Sequence, residues 1–189
     1  MNLAMAGSQR RASFTGLYAF LVSVTMFFAA FTSAMVVRRG ASDDWKGVPA
    51  PSLLWVNTGV LAVSSVLAEK ARRVLRAGDR RRHFNLWWTG ATLLGAMFVA
   101  GQIMVWRYLH RHGVYLNTTP GSAFFFVGTI AHAVHLGGGW LAMLYLNIRA
   151  FRLELGPGRR TAIDVATIYW HFLGILWLYL LWLFRFWGN

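Results

Sequence analysis

The chain has 189 residues, of which 57% are hydrophobic, 16% aromatic and only 13% charged. A soluble domain is typically about 25% charged, so this composition excludes an ordinary soluble fold and points to an integral membrane protein. The lack of cysteine removes disulfides, thiolate zinc sites, iron–sulfur clusters and a thiolate-bridged dicopper centre, while the formal charge of +13 lies between apolar segments, a distribution that fits a membrane protein and argues against a nucleic-acid partner.

Met1–Ala12 is polar and ends in Arg10-Arg11, and Phe14–Val37 then runs without a charge. Signal-peptide apolar regions are about 7–15 residues long, so this longer run reads as an uncleaved first membrane helix. Four more segments approach the roughly 20 residues that span a hydrocarbon core: Pro51–Ala68, the shortest, then Phe84–Trp106, Pro120–Asn147 and Val165–Phe184. None alternates apolar and polar residues as a barrel strand must. The expectation is therefore an all-α membrane protein: a single domain over 1–189, a bundle of five transmembrane helices at approximately 14–37, 51–68, 84–106, 120–147 and 165–184.

With five spans, the N-terminal tail and the 69–83 and 148–164 connections share one face and carry thirteen Lys and Arg, against six on the other face. The positive-inside rule makes the richer face cytoplasmic, with the N-terminus inside and the C-terminus outside. The connections 38–50, with Asp43, Asp44 and Pro49, and 107–119, with His110 and His112, are short and external. Leu155-Gly-Pro-Gly158 reads as a turn, and Thr161-Ala-Ile-Asp164 sits where a capping box would start the last helix. The basic run from Lys70 to Arg82 suits anionic headgroups or a partner subunit.

Ionisable groups within hydrocarbon-length segments are functional candidates by default. On the fourth segment Gly128, His132, His135 and Gly139 fall on one stripe, and Gly137-Gly138-Gly139 extends its small-residue surface. On the fifth, Thr167, His171, Gly174 and Leu178 form a matching stripe. Packing seams with histidines as hydrogen-bonding glue are one reading; a haem or metal site is the other. Two histidines at i,i+3 on one helix cannot grip a haem from opposite faces. At ~1.5 Å per residue, His171 and His135 lie roughly 9 and 18 Å in from the same side, and no third ligand accompanies them. The remaining polar groups are Asn57, Ser64, Ser65 and Glu69 along the second segment, Gln102 in the third and Asp164 entering the fifth. Glu69 and Asp164 are expected to pair with loop arginines rather than carry protons.

Tyr169-Trp-His-Phe-Leu-Gly-Ile-Leu-Trp177 resembles the Tyr-Trp-His-Phe-…-Trp signature in the last helix of subunit III of haem–copper (cytochrome c or quinol) oxidases. Thr129-Ile-Ala-His132-Ala-Val-His135-Leu-Gly-Gly resembles the histidine element of that family's penultimate helix. Asn57-Thr58, Gly95 and Gln102 also fall where the family has them, so the resemblance covers nearly the whole chain and matches its short five-helix bacterial form. There are departures: Val24, Val105 and Gly174 stand where many members carry membrane carboxylates.

The resemblance implies an accessory subunit with no redox metal and no catalytic centre of its own. Haem and copper would lie in partner subunits, with subunit I as the main contact, subunit II and a small subunit IV nearby, and phospholipid bound. Asn57, Glu69, Gln102, His132, His135, Asp164, Trp170 and His171 are then expected to make bundle, lipid or inter-subunit polar contacts. The rival readings are an accessory protein of a nitric oxide reductase system, a small membrane transporter and a stand-alone b-type cytochrome.

Overall fold

The computed structural model describes residues 3–41, 43–48, 51–78, 81–151 and 158–186. They form five helices: α1 (Leu3–Gly40), α2 (Leu53–Ala77), α3 (Arg81–Arg111), α4 (Pro120–Phe151) and α5 (Gly158–Phe186). α1, α3, α4 and α5 are each long and apolar enough to cross a membrane. α2 is 25 residues long but less apolar, because Asn57, Ser64 and Ser65 interrupt its hydrophobic run and Glu69 ends it.

Each helix outruns its apolar segment at one end or both. α1 begins inside the polar tail, α2 carries the first arginines of the basic run, and α3 continues through His110. Hydrocarbon thickness limits the apolar stretch, not the helix, which can project into water wherever its side chains are polar. What stops α2 and α3 is glycine: Gly78 and Gly113 sit at φ +73° and +75°, the left-handed conformation that closes a helix C-terminus.

The expected cap on α5 is absent, and another stands elsewhere. α5 already starts at Gly158, so Thr161 and Asp164 lie within it, and Asp164 pairs with arginine instead. Of the turn expected at 155–158, residues 155–157 lie outside the described residues and Gly158 already begins α5. The reciprocal box opens α4: the Thr119 amide donates to Ser122 Oγ at 2.9 Å, and the Ser122 amide donates to Thr119 Oγ1 at 3.1 Å. Pro120 between them occupies the first helical position, where its missing N–H costs nothing.

Two hydrophobic clusters result. The larger joins α2, α3, α4 and α5 through Trp88, Phe98, Leu136, Met143, Trp170 and Trp177, all essentially inaccessible. The smaller joins Val24, Phe28 and Met35 of α1 to Leu176, Leu180 and Leu183 of α5. The most extensive pairing is α2 with α3, and among the described helices α1 touches only α4 and α5. Many large apolar side chains, such as Met26, Val63, Leu93, Val134 and Ile175, point outward, as they must if lipid or partner helices cover them.

Candidate functional site

Tryptophan side chains organise the interior. Among the described residues, five tryptophans bridge helices through their indole N–H, with Trp88 donating to the Met143 carbonyl, Trp106 to Thr129 Oγ1 and Trp140 to the Thr92 carbonyl. Trp170 donates to Ser64 Oγ at 3.2 Å and Trp177 to Thr58 Oγ1 at 3.0 Å. These rings therefore staple helix to helix, a role separate from the interfacial one for which amphipathic aromatics usually collect. Composition alone could not separate the two roles.

The Trp170 staple runs further. Ser64 passes its own hydroxyl proton to the Ala91 carbonyl at 2.8 Å, so α5, α2 and α3 meet in one hydrogen-bonded chain. Asn57 repeats the pattern two turns away, donating to the Phe98 carbonyl at 3.1 Å. Two of the polar residues that make α2 less apolar, Asn57 and Ser64, are thus satisfied by its neighbours. In a bilayer interior an unpaired polar group would find no water to replace the bond.

The α4 histidines separate. Three residues along a helix is a rotation of about 300°, so the pair splays by about 60°, enough to face different neighbours. His132 is buried against α5, its ring 5.3 Å from that of Trp177. His135 faces α1, its ring 5.9 Å from that of Phe28, and its Nδ1 contacts its own helix at the Ala131 carbonyl, 2.7 Å away. Its backbone carbonyl accepts a bond from the Tyr169 hydroxyl of α5 at 3.0 Å. Neither His132 ring nitrogen, and neither Gln102 amide atom, has a hydrogen-bond partner among the described residues. The glycine run also divides: a Cβ on Gly139 would press on Leu173 and Tyr169 at 3.0 Å, whereas Gly137 and Gly138 have nothing within 4 Å. Only Gly139 of the three is a close-approach residue.

At the end of the bundle where α2 finishes and α5 begins, charges gather. Arg76 donates to Asp164 Oδ1 at 2.9 Å, with Arg72 4.0 Å from the same oxygen. Glu69 accepts from Arg72 at 3.0 Å and from Arg73 at 2.9 Å, and His171 Nε2 lies 3.6 Å from its other oxygen. The arginines are helical residues of α2, not loop residues, which gives them fixed spacing against α5. Among the described residues no three His, Asp or Glu side chains come together where a metal ion could be held.

Glu69 lies just past the apolar stretch of α2. Its partial burial favours the neutral acid, but the Arg72 and Arg73 hydrogen bonds outweigh this and hold the carboxyl at about 2, below its ordinary 4.5. A depressed carboxyl contributes stability that is complete above the unfolded value and is lost as pH falls through the folded one. Glu69→Gln should therefore melt lower than the wild type at pH 7 in detergent, with the gap closing as pH drops from about 4.5 towards 2. A gap that does not change with pH would show that the pair contributes nothing through its charge.

A cleft of about 990 Å³ opens beside this cluster, between the first half of α1, the end of α4 and the start of α5. Leu17, Phe20 and Tyr169 line its apolar depth, and Arg10, Arg76 and Arg160 stand at its polar end. A smaller apolar groove of about 360 Å³ runs between α2 and α5 past His171 and Gly174.

A profile of the family described as "Cytochrome c oxidase subunit III" matches residues 10–189, nearly the entire chain. The chain belongs to the cytochrome c oxidase subunit III family. Its bacterial relatives include a probable cytochrome c oxidase subunit 3 of Nocardia farcinica, 31% identical over 86% of this chain and 82% of that protein. The cytochrome c oxidase subunit 3 of Corynebacterium diphtheriae is 31% identical over 94% and 92% of the two chains. That of Thermostichus vulcanus is 31% identical over 87% and 82%.

Within this subunit III chain, at the positions where the resemblance would place membrane carboxylates, Val24 is buried in the α1–α5 cluster and Val105 is inaccessible in the main core, while Gly174 stands beside the groove between α2 and α5. Sequence reasoning singled out Trp170 and Gln102 but did not foresee the helix-to-helix roles of Ser64, Trp88 and Trp140. A polar residue facing a neighbouring helix looks in sequence like any other small polar residue.

Proposed function

We propose that this chain is the accessory subunit III of a bacterial haem–copper terminal oxidase, and that it carries none of the redox centres itself. Haem and copper then belong to partner subunits, with subunit I as its main contact and subunit II and a small subunit IV nearby. The observation that carries this reading is the family match over residues 10–189, which covers all five helices. The splayed α4 histidines support the non-redox part, since His132 is enclosed by Trp177 and His135 by the α1 phenyl rings. What remains for the chain is structural support: keeping the complex stable, retaining lipid, and through both sustaining proton uptake elsewhere.

The cleft beside α1 supports a phospholipid role. Its lining joins apolar side chains to Arg10 and Arg160, with Arg76 held by Asp164 in the same wall, a combination that suits an acyl chain with an anionic headgroup. Asn57 and Trp170 bond within the bundle interior, where Gln102 and His132 are also buried and His135 meets α1, and Asp164 is buried against Arg76. Glu69 and His171 are part-exposed, where headgroups or another subunit can reach them.

Purification through a tag on this chain tests the assignment. Haem-bearing oxidase subunits and phospholipid should co-elute; elution alone, or with a nitric oxide reductase, would overturn it. The proposed placement is the bacterial cytoplasmic membrane, N-terminus inside, with α2 as a fifth span. Because the chain has no cysteine, single substitutions report topology without background. A membrane-impermeant maleimide should label Ala41→Cys in intact spheroplasts and Ser8→Cys only after lysis, and the reverse pattern would invert the orientation.

A further inference from the structure

Gln102 of α3 and His132 of α4 are both buried, and both end in polar atoms with no partner among the described residues. They also lie level with each other. The Trp106–Thr129 hydrogen bond pins α3 to α4 at 3.2 Å. From that pin, Gln102 lies four residues back along α3 and His132 three residues on along antiparallel α4. At ~1.5 Å per residue these are displacements of roughly 6 and 4.5 Å in the same direction.

α5 closes the third side. The Trp177 ring meets the His132 ring at 5.3 Å and meets Phe98, one turn from Gln102, edge-on at 5.3 Å. The donors nearby are already committed. Trp106 bonds Thr129, Trp140 bonds the Thr92 carbonyl, Trp177 bonds Thr58, and the Thr129 hydroxyl donates to the Phe125 carbonyl. A direct bond between Gln102 and His132 would engage only two of their four unpartnered atoms, one fewer than a water making about three bonds can reach. Water both donates and accepts, and buried waters typically make about three bonds to groups of this kind.

We propose that Gln102 and His132 form a binding site for an internal water between α3, α4 and α5, with the water bridging the Gln102 amide and a His132 ring nitrogen. The site ties α3 to α4 by a bond that neither side chain can complete alone. It depends only on this chain's interior, so it stands or falls separately from the identity of the partner subunits.

A single-particle map of the tag-purified assembly, at a resolution where ordered waters are visible, tests it directly. Expected is a density peak within hydrogen-bonding distance of both Gln102 and His132. A dry contact, with the two side chains bonded to each other or to backbone carbonyls, would overturn it. Stability offers a second readout: Gln102→Leu and His132→Phe should each lower the melting midpoint in detergent. The double variant should regain part of that loss, because both polar ends and their water leave together. Strictly additive losses would also overturn the proposal.

Discussion

Trp170→Ala should be among the most damaging single substitutions in the chain, costing about 3–5 kcal/mol by the scale of buried tryptophan truncations in soluble cores. The low end of that range is expected here. Lipid is as apolar as the protein interior, so the hydrophobic transfer contribution largely cancels and lost packing remains. The packing loss is large, because Trp170 is fully buried and fills the space that Gly95 leaves on α3. A Cβ on Gly95 would stand 3.0 Å from the Trp170 six-membered ring. The variant also removes the donor that Ser64 accepts, cutting α5 out of the chain that runs through Ser64 to the Ala91 carbonyl. Trp170→Phe is the intermediate case: it keeps a six-membered ring but loses the N–H and the outer indole atoms that reach Gly95, so about 1–3 kcal/mol is expected. Thermal melting of the purified assembly measures both. Equal losses from Ala and Phe would mean that the N–H and the outer indole atoms, not the bulk of the ring, are what Trp170 contributes.

Gly101→Val should rank next, at about 1–3 kcal/mol or more of overpacking. A Cβ at this position would run into Asn57 Oδ1, and the Asn57 side chain cannot move aside without giving up its bond to the Phe98 carbonyl. The substitution therefore pushes α2 from α3 and orphans an amide at once. Gly137→Ala is the matched control, since nothing lies within 4 Å of the new Cβ. It should leave the melting midpoint unchanged or raise it slightly, because alanine favours helix over glycine by up to about 1 kcal/mol. Both substitutions fill a helical glycine, so a similar drop for each would refute the close-approach argument.

The sequence made the helices legible because a charge-free run such as Phe14–Val37 has few alternatives, and the aromatic motif of α5 made the family legible. The depth of burial was legible only in part. Periodicity placed His132 on a helix-packing stripe, but it also put His135 on the same stripe. A stripe drawn for one neighbour misleads when a helix has two, and α4 packs against α1 as well as α5. The capping box was misplaced for a related reason. Thr161 and Asp164 have the spacing, but α5 begins before them. Thr119-Pro-Gly-Ser122 has the same spacing with proline at the first helical position, and that signal was available. The charged cluster was half visible: Glu69 and Asp164 were expected to pair, but nothing in one dimension reveals that Arg76, 88 positions away, reaches Asp164.

The smaller hydrophobic cluster has a consequence for how the molecule comes apart. α1 holds on through a few aromatic contacts, three buried residues against three of α5, and one hydroxyl pair between Thr32 and Tyr179 at 2.7 Å. The other four helices share one continuous core and most of the indole staples. Opening free energy follows such contact density, so the boundary of cooperativity runs along α1 rather than through the bundle. The first unfolding event on heating is then the release of a single helix, with the four-helix unit still closed behind it.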